Sequence, residues 1–447
     1  MSRLVNELIK RQKKNYMQNP FITSLFGADP AAHVWKDGRL YVYASRDIDK
    51  SGSNLTMDYM DHYHVFSTTD MVNWVDEGEI FSSEQVDWGI DGFMWAPDAA
   101  YKNGKYYFYY PHPSSAPWND NWKVGVAVSK HPASNFEDIG TIEGLGGHAL
   151  IDPSVFIDED GQAYIYYGGG AHAYQGKMNE DMVSLAKPMQ TVEGLRDFHE
   201  AAWIFKRQGI YYFTYSDNHS GANHMCYATS TTPLGPWKYQ GYYMLPVGCE
   251  TTHGSVVEYK GEWYAFYHNN AISNLNELRS ICCDHLQFNK DGTIQMVIQT
   301  RNGTLPLEEN GFEKPLNFQQ YSVKDNNNLI DLKLTKEKRS PFQNIVTGFD
   351  HFGSSICFRK VNGFENGRVA LGIYYGTATN LSKLRLTVNG KDWSLVNCPY
   401  TGSGHTFDGY STITIQIKPG ENNTVILTGG AGELSLEGIS VAQVKER

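Results

Sequence analysis

Apolar and polar positions alternate in short runs along the first 300 or so residues, and the runs come in pairs broken at a glycine. "HVWKDGRLYVYAS" (33–45), "DAAYKNGKYYFYYP" (98–111), "SVFIDEDGQAYIYYGG" (154–169), "AAWIFKRQGIYYFTYS" (201–216) and "SVVEYKGEWYAFYH" (255–268) share one plan. A strand-forming run leads into a turn carrying Gly38, Gly104, Gly161, Gly209 or Gly261, and an aromatic strand follows. A period-two pattern folded across such a turn predicts a β-hairpin. Most of the hairpins are followed by a second strand pair, as in "YHVFSTTDMVNWVDEG" (63–78), "VGVAVSKHPASNFEDIG" (124–140) and "MCYATSTTPLGPWKYQG" (225–241). Four strands recurring about every 50 residues predict the blades of a propeller. Five such units predict a five-bladed β-propeller over residues 1–308. A plain β-sandwich is the alternative, but sandwiches do not repeat so evenly.

After about residue 310 the texture changes. "LEENGFEKPLNFQQYSVKDNNN" (307–328) is polar and turn-rich and reads as a linker or domain edge. Short strands then follow: "GRVALGIYYG", "KLRLTVNGK", "YSTITIQI", "NTVILTG" and "GELSLEGISVAQV". They predict a second, smaller all-β domain over residues 309–447, a β-sandwich of jelly-roll type.

Composition narrows the partners. The 447 residues carry a net charge of −11, and only 19% are charged. An acidic chain without basic runs argues against nucleic acid and against an anionic membrane surface. The 29 Tyr and 10 Trp suit the flat apolar faces of a neutral sugar. No stretch has the apolar length of a membrane span. The start, "MSRLVNELIKRQKKNYMQNP", is too charged for a signal peptide. The six cysteines show no metal-ligand spacing and read as buried free thiols. These features predict a cytoplasmic protein; the alternative is a secreted or periplasmic one whose signal peptide has been removed.

The first strand of every blade lines the propeller axis, so residues at one offset before the repeat glycine converge there. Nine positions before it stand Asp29, Trp95, Asp152, Glu200 and Thr252, and His253 follows one later. Three carboxylates thus meet in an aromatic-lined funnel. Like charges and desolvation raise the pKa of at least one of them. A carboxyl kept protonated beside one kept ionised is what glycoside hydrolysis requires. Strand-end capping would explain a single acid, but not three in register. Trp95, at the second blade head, is placed to stack on a sugar ring.

The blade heads "GADPAAH", "LIDPSVF" and "FHEAAW", together with "MWAPDAAYKNGKYYFYY", "DPSVFIDEDGQAYIYYGG" and "HGSVVEYKGEWYAFYH", resemble those of glycoside hydrolase family 43. The likeness covers the whole propeller region. It implies that Asp29 is the general base, Glu200 the general acid, and Asp152 the residue that tunes and orients the acid. It also implies that Arg279, in "NELRSICCDHL", contacts sugar hydroxyls. His253 lies near the axis by the same likeness, as a substrate contact or as the holder of a structural calcium ion. No cofactor is otherwise required. His33, His64, His148 and His172 follow no pattern, and "GGG" at 168–170 is not a phosphate loop because no Lys-Ser/Thr or helix follows it. In the second domain, "LTVNGK" (386–391) and "PYTGSGHTFDGYSTITIQIKPGENNTVIL" (399–427) more faintly resemble family 6 carbohydrate-binding modules. The Trp and Asn expected for sugar contact in that family are missing from "TGSGHTF" and "GGAGELSLEG".

The resemblance implies an inverting exo-glycosidase acting on terminal α-L-arabinofuranosyl or β-D-xylosyl residues of plant cell-wall oligosaccharides. Galactofuranosidase and endo-arabinanase activities remain alternatives on the same scaffold, as does a non-catalytic sugar-binding propeller. The long insertion "DIDKSGSNLTMDYMDHYH" (47–64) would wall the axis, which favours exo action. A retaining fructan hydrolase is disfavoured, because "GADP", "IDPS" and "HEAA" stand where that class has Asn-Asp-Pro, Arg-Asp-Pro and Glu-Cys. A homo-oligomer stays open.

Overall fold

The computed structural model describes all residues except 1, 2, 16, 51–55, 116–120, 147–149, 219–222, 308–310, 326, 327 and 352. His148, part of the blade-one insertion and the expected domain boundary at 308/309 lie outside the described residues.

Five antiparallel sheets follow one another along the first 285 residues. Their innermost strands are Ala28–Val34, Asp98–Lys102, Ser154–Ile157, Phe198–Arg207 and Gly254–Tyr259. Each innermost strand touches the innermost strands of both neighbouring blades, so the five close a ring. The repeat glycines sit where the sequence puts them. In blades two, four and five the hairpin loop is two residues, Asn103-Gly104, Gln208-Gly209 and Lys260-Gly261, all with positive φ. That is the turn whose twist matches paired strands, and its second position favours glycine.

The first four sheets have four strands each and the fifth has three: Gly254–Tyr259, Glu262–Asn269 and Ser280–His285. The chain start covers the exposed edge of that fifth sheet. Phe21 N–H donates to the Ile281 carbonyl (3.1 Å) and Gly27 N–H to the Arg279 carbonyl (2.9 Å). The Asn19 amide both donates to and accepts from the Cys283 backbone, at 2.9 Å each way. Before this segment lies a helix, α1 (Arg3–Gln12), which buries Leu8 against Phe342 and Tyr374 of the second domain and pairs Arg11 with Glu437 at 2.7 Å.

The second domain is a two-sheet sandwich. One sheet runs Lys333–Lys336, Asn344–Thr347, Ser435–Gln443, Arg368–Gly376, Gly409–Gln416; the other runs Leu329–Ile330, Ser355–Val361, Asn423–Ala431, Leu381–Val388, Lys391–Pro399. The stretch read as a linker holds a strand, Phe318–Ser322, paired along the outside of Ser435–Gln443. Its sequence, Phe-Gln-Gln-Tyr-Ser, is half-buried throughout and shows no period-two alternation, although Phe318 and Tyr321 pack against apolar clusters. One contiguous apolar cluster joins the sandwich core (Leu371, Ile373, Leu386, Leu427) to Val42, Phe66 and Phe266 of the propeller. All six cysteines are free, and only Cys357 is not fully buried.

Candidate active site

The blade-head acids stand where inner strands leave their ladders. The pairing of Ala28–Val34 slips between Ala28 and Ala31, and that of Phe198–Arg207 slips on both sides of Glu200. Such bulges re-aim side chains away from the ladder, here toward the axis. Asp29 and Asp152 take a left-handed backbone, each with φ 53°. In blade four the left-handed residue is Ala201 (φ 63°), one position after Glu200. This turns the Ala201 N–H onto Asp152 Oδ2 at 2.7 Å, tying blade four to blade three.

Asp29 is held by a dense set of partners. Ser45 Oγ donates to Oδ2 (2.9 Å), and Arg279 Nη1 donates to Oδ1 (3.2 Å). His268 Nδ1 accepts the Asp29 backbone N–H at 3.1 Å, and its Nε2 faces the Thr251 carbonyl at 3.0 Å. Since Nδ1 accepts, Nε2 carries the proton and the ring is neutral. Burial drives His268 down to about 3, which agrees. Burial alone would raise Asp29, but the Arg279 guanidinium, with help from the Ser45 hydroxyl, outweighs it and holds Asp29 below the ordinary carboxylate range.

Asp152 and Glu200 go the other way. Burial, then the charge of Glu200, pushes Asp152 well up, and burial with the charge of Asp29 raises Glu200. Glu200 is the more open group, its side chain 16% exposed against 6% for Asp152 and 7% for Asp29. His199 Nε2 stands 3.8 Å from Glu200 Oε2.

Arg279 joins the cluster in a way the sequence did not announce. Its Nε and Nη2 bind Asp47 at 3.0 and 2.9 Å, and its backbone N–H binds Asp47 at 2.6 Å. Nη1 serves Asp29 and Thr251, and the remaining Nη2 proton points at Met60 Sδ. Arg279 is 2% exposed. Its N–H groups are thus engaged within the protein, one of them by Asp29. Asp47, Ser45, Thr251 and His268 were missed because each lies at a strand end or loop with no repeat offset to mark it.

Trp95 lies half-buried against Trp122, ring centroids 4.5 Å apart, with its indole N–H on the Met57 carbonyl (3.2 Å). Thr252 is buried and donates to the Asn223 carbonyl. His253 sets Nδ1 3.6 Å from Asp152 Oδ2 and 4.0 Å from Asp29 Oδ1. Calcium takes six to eight oxygen ligands. Among the described residues no group of three or more His, Cys, Asp or Glu side chains is disposed to hold a metal. His253 is therefore not part of such a cluster; it lies beside the two aspartates. His33 and His64, without pattern in the sequence, are paired with Asp98 and Asp76, each at 2.6 Å.

Comparison with known proteins shows what the chain resembles. A xylosidase/arabinosidase of Bacteroides ovatus is 36% identical over 313 residues, covering 60% of this chain and 93% of that protein. The crystal structure of a β-xylosidase/α-arabinofuranosidase from a compost microbial metagenome, in complex with xylotriose, superposes with a TM-score of 0.58 at 33% identity, over 63% of this chain and 98% of that one. An arabinoxylan arabinofuranohydrolase of Bacillus subtilis shares the fold over 96% of this chain and 98% of its own, with a TM-score of 0.58 at 24% identity. The model of glycosyl hydrolases family 43 matches residues 17–294, the whole ring of blades and the edge segment that closes it. The chain is a glycoside hydrolase and belongs to glycosyl hydrolase family 43.

Proposed function

We propose that this site removes terminal α-L-arabinofuranosyl or β-D-xylosyl residues from xylan-derived oligosaccharides, with inversion at the anomeric carbon. The observation that carries the reading is the opposite displacement of two carboxyls in one channel: Asp29 is held ionised and Glu200 is pushed toward its protonated form. Asp29 takes a proton from water as the water oxygen attacks the anomeric carbon. Glu200 gives its proton to the glycosidic oxygen as that bond breaks. Both the glycosidases named above, from Bacteroides ovatus and from compost, act on these two pentoses by name.

Asp152 and Glu200 are both pushed toward their protonated forms, and the proton used in the reaction is assigned to Glu200. The Ala201 N–H bound to Asp152 Oδ2 favours the ionised form of Asp152, and the more open Glu200 is the one that faces a leaving group. The rate therefore follows a bell. The acid limb comes from protonation of Asp29, below the usual carboxylate pKa; the alkaline limb comes from loss of the Glu200 proton, above it. Asp152→Asn removes a negative neighbour, so Glu200 releases its proton more readily and the alkaline limb of kcat/KM moves to lower pH. A lowered rate with an unmoved profile would reduce Asp152 to a structural residue.

The reading as a whole is tested by hydrolysis of aryl arabinofuranoside and aryl xyloside with proton NMR of the first-formed sugar. Inverted anomeric configuration is expected. Retention, or turnover of neither substrate, would sink it.

A further inference from the structure

We infer that the cleft between the blade-one insertion and the sandwich binds the sugar chain to which the scissile residue is attached, so that the second domain supplies part of the substrate site. The identity of that chain rests on the pentosidase reading above; the cleft itself is read from the architecture.

Chain direction puts the cleft on the catalytic face. Ala28–Val34 starts at Asp29 and runs away from it, and Leu40–Ser45 returns to bring Ser45 Oγ to Asp29. The insertion that follows must emerge beside the carboxylates. It does: Asp47 grips Arg279, the Met57 carbonyl holds the Trp95 indole, and the Asp58 carbonyl accepts the Phe93 N–H at 3.0 Å. One layer of chain thus holds Trp95 and sets Tyr59 and Phe93 along a cavity of about 1010 Å³. The opposite wall belongs to the sandwich strand Lys391–Pro399, with Trp393 and Ser394.

The walls are fixed to each other. Arg46 Nη2 donates to Ser394 Oγ at 2.9 Å, and Lys383 pairs with Asp49. A preformed cleft spares a ligand the cost of ordering it. Tyr59 and Phe93 line the cavity from the propeller side and Trp393 from the sandwich side, and all three are half-buried. Lys50 covers one face of the Tyr59 ring at 4.2 Å, whereas the Trp393 ring meets no other ring among the described residues. Aromatic plates on facing walls with polar groups between them suit the apolar faces and hydroxyl rims of sugar rings. Carboxylates on the lining outnumber lysines and arginines seven to four, so an acidic, uronate-bearing chain is repelled and a neutral one is not.

The test is calorimetric binding of arabinoxylo-oligosaccharides of two to six backbone xyloses to Asp29→Asn protein, with and without Trp393→Ala. Affinity is expected to rise with chain length. Trp393→Ala should cost about tenfold on the longest chains and next to nothing on the shortest. Tyr59→Ala, on the other wall and in the other domain, should reproduce that length dependence, and a glucuronic-acid-substituted chain of equal length should bind more weakly. A loss equal at every length, or no loss in either variant, overturns the inference. If the parent enzyme fails to cleave aryl pentosides while the length-dependent loss persists, the reaction assigned above is wrong and the cleft stands. If cleavage is seen and the length dependence is absent, only the cleft falls.

Discussion

Glu200→Gln is expected to lose about 10²–10⁴-fold in kcat on arabinoxylan-derived oligosaccharides and far less on a dinitrophenyl pentoside. A sugar alkoxide is a poor leaving group and departs only when its oxygen is protonated, which is the task assigned to Glu200. A dinitrophenolate leaves unaided. Asp29→Asn should be crippled on both substrates, because water must be activated whatever departs. The contrast is meaningful only where chemistry limits turnover, so single-turnover rates are the measurement. Equal losses on both substrates for Glu200→Gln would strip Glu200 of the acid role.

Asp47→Ala is expected to destabilise the protein by about 3–5 kcal/mol, read as a lower urea midpoint at unchanged slope. Asp47 is fully buried and answers three donors of Arg279, two from its guanidinium and one from its backbone, and Arg279 is itself 2% exposed. Removing it leaves a buried positive charge short of its partner, which costs more than the ion pair contributed. Asp47→Leu combined with Arg279→Met should recover most of the stability, since no charge is then left alone. It should not recover activity, because Asp29 would lose the charge that keeps it ionised. An Asp47→Ala protein within about 1 kcal/mol of the parent would mean that Asp29 and Thr251 suffice to hold Arg279.

The parts of the molecule legible from sequence are those that repeat. Gly38, Gly104, Gly161, Gly209 and Gly261 mark turns at a fixed place in each blade, and counting back from them lands on Asp29, Asp152 and Glu200. The count is imperfect in one instructive respect. The left-handed residue falls on the acid in blades one and three but on Ala201 in blade four, so equal offsets conceal unequal backbones, and only the structure shows that the Ala201 N–H reaches Asp152. What does not repeat stayed hidden. Asp47 and Arg279 are 232 residues apart, and nothing in either neighbourhood announces the other. Phe318–Ser322 reads as linker because its partner strand lies more than a hundred residues ahead. The second histidine of the Asp29 shell, His268, closes an aromatic strand whose pattern accounts for it as filler.

The edge segment that completes blade five has a consequence for how the chain reaches this state. Asn19 pairs with Cys283, 264 residues away, and Arg11 with Glu437, 426 residues away. During synthesis the first residues emerge with neither partner yet made. The edge segment has no strand to pair with until Ser280–His285 exists, and helix α1 has no seat until Ser435–Gln443 is laid down. Contacts of such sequence separation are slow to form. Until they form, the Ser280–His285 edge presents unpaired backbone groups to any passing strand. Deleting the segment before Ala28 would leave that edge open permanently, so such a truncation is a candidate for aggregation even though it removes no residue of the catalytic channel.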